Sequence, residues 1–239
     1  MKDLEEEEEP SQLKETSDYQ LSFEQTFNFD LIQRNFGSKV DTKQEADVFI
    51  KLSDLKPSYQ VHLIESPNED LKRAFDHIQE HKLVSLHVEQ VRKKCSFLAI
   101  STSERAFVFN VNSLAKNKQF SGKISELFEN PKISKISFHG KKVIEPLSRT
   151  MGSSLLNPVN FPNLKDNFAT NVPDKINLSS MCFRLFGKRI DSMFSEWVSS
   201  SNFLGPDDLH YMAVCSLATL EIFKSFLRLK YLGQEESHI

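Results

Sequence analysis

A chain of 239 residues with 39% hydrophobic content is long enough for one sizeable core plus tails. Its formal net charge of -3 excludes the strongly basic balance common in nucleic-acid-binding domains, so any affinity for a polyanion must come from local patches. Cys95, Cys182 and Cys215 are far apart, form no CxxC pair and cannot all pair with one another, which points to a reducing compartment, cytoplasmic or nuclear. Neither an apolar leader near Met1 nor an apolar run long enough for a membrane span occurs.

In chain order, residues 1–20 contain the run Glu5 to Glu9 and few apolar anchors, the composition of a disordered acidic tail. Residues 21–58 scatter phenylalanines from Phe23 to Phe36 and then carry "ADVFIKL"; they read either as a flanking helix and strand or as a segment that binds a protein partner. From Tyr59 the pattern sharpens. "YQVHLI" alternates as a strand, and the helix after it is expected to start on a capping box of Ser66 and Glu69, with Pro67 at the first helical position. Leu71, Phe75 and Ile78 share one face of that helix.

"LVSLHVEQ", "SFLAIST" and "RAFVFNV" follow as three strands with turn signals between them, an antiparallel meander. The first of these puts His87 and Glu89 on one face, which suits either a ligand-bearing strand or an edge strand whose polar side meets water. Beyond the meander come a helix ("GKISELFEN"), a short strand ("ISKISFH") and a helix ("KKVIEPLSR") that contains Pro146. Residues 151–174, rich in Asn and Pro, read as loop with a short helix at 164–170. Two helices close the pattern, "NLSSMCFRLFG" stopped by Gly187 and the long, largely apolar "PDDLHYMAVCSLATLEIFKSFLRL". This order predicts an α/β sandwich of three layers, a mixed five- to six-stranded sheet with helices on both faces, over residues 59–230, followed by a short tail at 231–239.

The order of elements, together with "VSLHVEQ", "KISFHGKKVIEPL", "FRLFGKRID", "SEW" and "FLGPDDLHYMAVCSL", resembles the 3′-5′ exonuclease domain of the ribonuclease D and Werner type, a ribonuclease H-like fold. The resemblance implies metal-dependent hydrolysis of phosphodiesters by four acids that hold two divalent cations, with a tyrosine positioning the attacking water. In the motif positions stand His87 and Glu89 on the first strand, Val143 after the meander, and Tyr211 and Cys215 on the last helix; only Glu89 and Tyr211 match the family.

Two-metal chemistry needs hard oxygen ligands around ions about 3.5–4 Å apart, and a lone Glu89 binds Mg or Mn poorly. The resulting expectation is a pseudo-exonuclease that binds RNA or single strands and has no cofactor. Two alternatives remain: a working enzyme that recruits Glu145, Asp166 or Asp208 and uses Mg or Mn, and a purely protein-binding scaffold. His87, Glu89 and Cys215 are also conceivable zinc ligands, although a buried free cysteine is more often a small core side chain. Tyr211 reads equally as a core tyrosine. The candidate nucleic-acid contacts are Lys141, Lys142, Lys188 and Arg189, with Phe138 as a stacking surface; a solvated basic surface and a core strand residue are the competing readings.

Overall fold

Alternation of side chains along the strands decides the architecture, because the central strands have apolar residues on both faces and must be covered twice. The computed structural model describes residues 49–152, 155, 159–160, 177–191 and 204–235. Expectations for residues 1–48, for a helix at 164–170, for "SEW" and for the last four residues lie outside these.

The chain enters with a one-turn helix, α1 (Leu52–Leu55), and then β1 (Gln60–Ile64), α2 (Glu69–Gln79), β2 (Leu83–Val91), β3 (Lys94–Ser101) and β4 (Arg105–Asn110). Next come α3 (Val111–Leu114), α4 (Lys118–Glu129), β5 (Ser134–Ser137), α5 (Gly140–Met151), β6 (Val159–Asn160), α6 (Leu178–Phe186) and α7 (Pro206–Glu235). One six-stranded mixed sheet has the order β1-β4-β3-β2-β5-β6. The meander β2-β3-β4 is antiparallel, while β1 joins β4 and β5 joins β2 in parallel. β2 is therefore a central strand and not an edge. β6 pairs in parallel with β5, which places a strand inside the stretch expected to be loop.

On one face, Val84 and Leu86 of β2, Leu98 and Ile100 of β3 and Phe107 and Phe109 of β4 pack with Leu71, Phe75 and Ile78 of α2, Phe120 and Ile124 of α4 and Leu147 of α5. Phe75, Phe109 and Phe120 form its aromatic centre, with Phe109 5.3 Å from Phe75 and 5.7 Å from Phe120 between ring centroids. The other face is covered chiefly by α7 and α6, whose Met181, Ala213, Leu217 and Ala218 meet Ala106 and Ile136. Ile50, Leu52 and Leu55, from the segment read as flanking, are buried on this side, and Phe49 bridges to Arg189.

The start of α2 differs from expectation. Asn68 and not Ser66 is the cap, its side-chain oxygen accepting from the amides of Asp70 (3.0 Å) and Leu71 (3.3 Å). Asn caps as well as Ser does, and this choice leaves Glu69 and Asp70 in the first turn, where the helix dipole favours them. α4, by contrast, begins earlier than expected, because the Asn117 side chain accepts from the Phe120 amide at 2.9 Å and Phe120 is buried. α5 runs through Pro146 without a break. Gly187 ends α6 in the left-handed conformation, φ 68°, as the sequence predicts.

β2 and β3 are joined by two residues, Arg92 and Lys93, with φ of 48° and 68°. Positive φ at both positions is the type I′ hairpin, which Asn-Gly adopts far more cheaply than two long cationic side chains. Replacing Arg92-Lys93 by Asn-Gly should raise stability by about 1 kcal/mol in chemical denaturation, the order of the left-handed penalty for one residue. Phe109→Ala should lower it by roughly 3–5 kcal/mol, because the aromatic centre cannot close over the void. A loss below about 1 kcal/mol would show that the cluster is not the centre of that core.

Candidate functional site

Ser85, His87 and Glu89 occupy alternate positions of β2 and so point together at α7. The helix is held against the strand by hydroxyls: Ser85 donates to the Ser216 carbonyl at 2.6 Å, and the Ser216 and Ser101 hydroxyls are 2.5 Å apart. Ala213, Ser216 and Ala218 are small enough for this close approach. Tyr211 and Cys215, four residues apart and so on one side of the helix, are carried to His87 and Glu89 as a result.

One oxygen of Glu89 is the focus of the site. His87 Nε2 lies 3.1 Å from Glu89 Oε1, and the Tyr211 hydroxyl donates to the same oxygen at 3.3 Å. The His87 and Tyr211 rings meet edge to face, 6.1 Å between centroids. Cys215, itself buried, lies close enough to His87 to raise the pKa of its imidazole. Glu89 is only 7% exposed. Burial alone would lower the His87 pKa, but Cys215 and then Glu89 outweigh it and push the imidazole up to about 10. The pair at the centre of the site is thus an imidazolium held by a carboxylate, 3.1 Å apart.

The remaining sequence candidates fall elsewhere. Val143 lies in the first turn of α5, buried in the apolar cluster with Ile144 and Leu147. Glu145 is exposed and pairs with Arg149 at 3.5 Å, and Asp208 accepts from the Gly205 amide at 2.9 Å at the start of α7. Asp166 lies outside the described residues. Phe138 is buried among Ile136, Cys182 and Val214, so its ring is core and offers no open face to a base. Lys188 is paired with Asp54 at 2.8 Å, and Arg189 stacks on Phe183 at 4.6 Å. Lys142 is exposed, whereas the Lys141 side chain is outside the described set.

The donor set does not fit either family of metal considered from the sequence. Mg and Mn ask for a shell of hard oxygens, and here one acid meets an imidazolium, a phenol and the sulfur of Cys215. Among the described residues, Glu89, His87 and Cys215 do not bring one ligand atom each within 4.8 Å of one another, so the zinc reading of these three is corrected.

Two neighbours went unnoticed in the sequence. His139, the residue before α5, lies close enough to His87 and Lys142 for their charges, after burial, to lower its pKa. A cavity of about 150 Å³ opens beside Tyr211, lined among others by Phe49, Ile190, Asp191, Asp207 and His210. The only hint of the first was the position of "FHG" directly after a strand; the second is assembled from three distant segments and had no local signal.

No family model matches the sequence, and no curated protein matches it. Solved structures do. The exonuclease domain of Nibbler from Aedes aegypti is similar with a TM-score of 0.59 at 15% identity, over 69% of this chain and 86% of that one. Ribonuclease D from Trypanosoma brucei in complex with RNA U12 is similar with a TM-score of 0.60 at 18% identity, over 71% and 63%. Ribonuclease D from Escherichia coli, an exoribonuclease involved in structured RNA processing, gives 0.59 at 15%, over 71% and 44%. The chain spans less than two thirds of either ribonuclease D. It has the α/β fold of the 3′-5′ exonuclease domains, a ribonuclease H-like architecture.

Proposed function

We propose that this chain is a pseudo-exonuclease, a module of the 3′-5′ exonuclease fold that binds RNA or single-stranded nucleic acid without cleaving it. The observation that supports this most strongly is the state of Glu89. In the catalytic members that the sequence resembles, the acid in this position helps to hold divalent cations; here its Oε1 is engaged by His87 and Tyr211. The His87 imidazolium beside it repels a cation, and of the two acid positions that the resemblance gives to Cys215 and Val143, the first holds a buried sulfur and the second lies in the apolar cluster. One carboxylate with one cationic partner is a closed charge pair, not a site awaiting two divalent ions.

Affinity for the nucleic acid would come from cations outside that pair. Arg92 and Lys93 form the tip of the β2-β3 hairpin, three and four residues beyond Glu89, and Lys142 is exposed at the start of α5. Contacts of this kind read phosphates and not sequence, so binding should be salt-dependent and tolerant of base changes. The complex of ribonuclease D with RNA U12 supports the ligand class by fold alone. A protein scaffold is the second reading, supported by Phe49, which is 40% exposed on the rim of the cavity beside Tyr211.

A 5′-labelled single-stranded RNA titrated at two salt concentrations with Mn²⁺ present, followed by anisotropy and on a denaturing gel, tests the proposal. The expected result is salt-sensitive binding of intact RNA, weakened by charge reversal of Arg92 and Lys93. Shortening of the RNA that disappears in Glu89→Gln would overturn it in favour of a working enzyme, and no binding at low salt would leave the scaffold.

The charge pair also predicts a pH dependence. An imidazole whose pKa is raised from 6.5 to about 10 on folding contributes stability that is full below pH 6.5 and is lost as the pH rises towards about 10. The denaturation midpoint should therefore fall across that window, and the fall should be clearly smaller in His87→Gln. An identical profile in the variant would mean that His87 is not held as an imidazolium.

A further inference from the structure

We propose that His77, His81 and Glu104 form a binding site for zinc, on the opposite face and at the opposite end of the sheet from Glu89. Its origin is local. The sequence "HIQEH" puts His77 in the last turn of α2 and His81 two residues past its end, where the His81 ring folds back to the His77 carbonyl at 2.8 Å. The turn between β3 and β4 supplies the carboxylate. Thr102 fixes that turn by accepting from the amides of Glu104 and Arg105, each at 3.2 Å.

The two oxygens of Glu104 divide between the rings, Oε2 at 3.9 Å from His77 Nε2 and Oε1 at 3.8 Å from His81 Nε2. The ring centroids are 4.5 Å apart, tilted by 48°. One ligand atom from each residue fits within a mutual 4.8 Å, and this is the one such group of three among the described residues. These gaps are too long for hydrogen bonds. Around a tetrahedral zinc with metal–ligand bonds of about 2.0–2.1 Å, ligand atoms lie about 3.3 Å apart, so each carboxylate–imidazole gap has to close by about half an ångström to seat the ion.

The tautomer is already set. His81 Nδ1 is 2.8 Å from the His77 carbonyl, which can only accept, so Nδ1 carries the hydrogen and Nε2 of the neutral ring presents its lone pair to Glu104. A metal-ligating histidine is commonly oriented by just such a bond from its other nitrogen. An Nε2 and a carboxylate oxygen facing each other across 3.8 Å leave room for a cation shared between them. Arg105, 4.0 Å from Glu104, is the competing cation on the outer side. His77 Nε2 also lies 3.2 Å from the Thr102 hydroxyl, a contact that the ion would replace.

Both imidazole side chains are largely buried, at 13% and 15% exposure, and Glu104 is exposed at 58%. The ligands are thus backed by protein on one side and open on the other, leaving a fourth position for water or an exogenous ligand. The set of two nitrogens and one oxygen suits zinc better than Mg or Ca, which prefer oxygen alone. Glu89 pairs with Phe97 and the zinc ligands lie beyond Ser101, at least about 13 Å further along β3, so this site stands independently of the proposed nucleic-acid function.

The test uses the full chain without a polyhistidine tag, stripped with chelator and titrated with zinc against a chromophoric competitor. Cobalt absorption reads the geometry. The expected result is one equivalent of zinc, a tetrahedral cobalt spectrum and a raised melting temperature. His81→Gln and Glu104→Gln should each weaken zinc by at least about tenfold, while Cys215→Ser leaves it unchanged. The exposed Glu104 makes its variant safe for folding, which circular dichroism checks. Absence of zinc binding at micromolar concentration, or zinc that survives both substitutions, would overturn the proposal, as would zinc that is lost with Cys215→Ser.

Discussion

The arrangement of the candidate site depends on how closely α7 lies against the middle of the sheet. Ser216 accepts from Ser85 through its carbonyl and meets Ser101 through its hydroxyl, so one turn of helix is bonded to two adjacent central strands inside an apolar layer. Buried hydroxyls without partners would cost a few kcal/mol at most each, and satisfied they fix the helix in register, which apolar packing alone does loosely. Ser216 is adjacent to Cys215 and five residues from Tyr211, so fixing it sets which residue of α7 meets which residue of β2. Cys215 then lies on His87 and Tyr211 on Glu89.

That registration turns a sequence alternation into chemistry. A carboxylate that is 7% exposed is unstable unless paired and hydrogen-bonded, and Glu89 has both kinds of partner. His87 is charged because its neighbours are there; burial alone would keep it neutral. The dependence is mutual, so removing either member would leave the other's charge or polar atoms without their partner in a largely dry setting.

Much of the architecture was legible because periodicity is a direct record of burial. The meander, the helices that follow and the Gly187 stop were all readable, and so was the shared face of His87 and Glu89. The alternative of an edge strand for β2 could not be dismissed from sequence, since strand order is a tertiary property. β5 on its far side is only four residues long. The cap of α2 was misassigned because Ser66, Pro67 and Asn68 all carry start signals, and only the geometry shows that Asn68 reaches two amides. Phe138 sat beside a basic cluster in sequence yet faces inward, because the chain turns into α5 directly after it. The meeting of His77 and His81 with Glu104 was half visible, as the helical spacing of two histidines. The carboxylate arrives from a turn more than twenty residues later, and no local pattern links it to them.

On the proposed reading, the substitutions around Glu89 belong together. Several carboxylates crowded into a low-dielectric pocket repel one another unless cations are bound, so a site of that kind is stabilised by its metals and strained without them. Replacing one acid by an imidazole and another by Cys215 removes the repulsion and supplies the remaining acid with an internal counter-ion. The Tyr211 hydroxyl, which would otherwise have lost its role, is retained as a hydrogen-bond donor to Glu89. On that reading, metal binding at this pocket would take several coordinated changes and not one, because His87 would have to lose its charge as new oxygen ligands were gained.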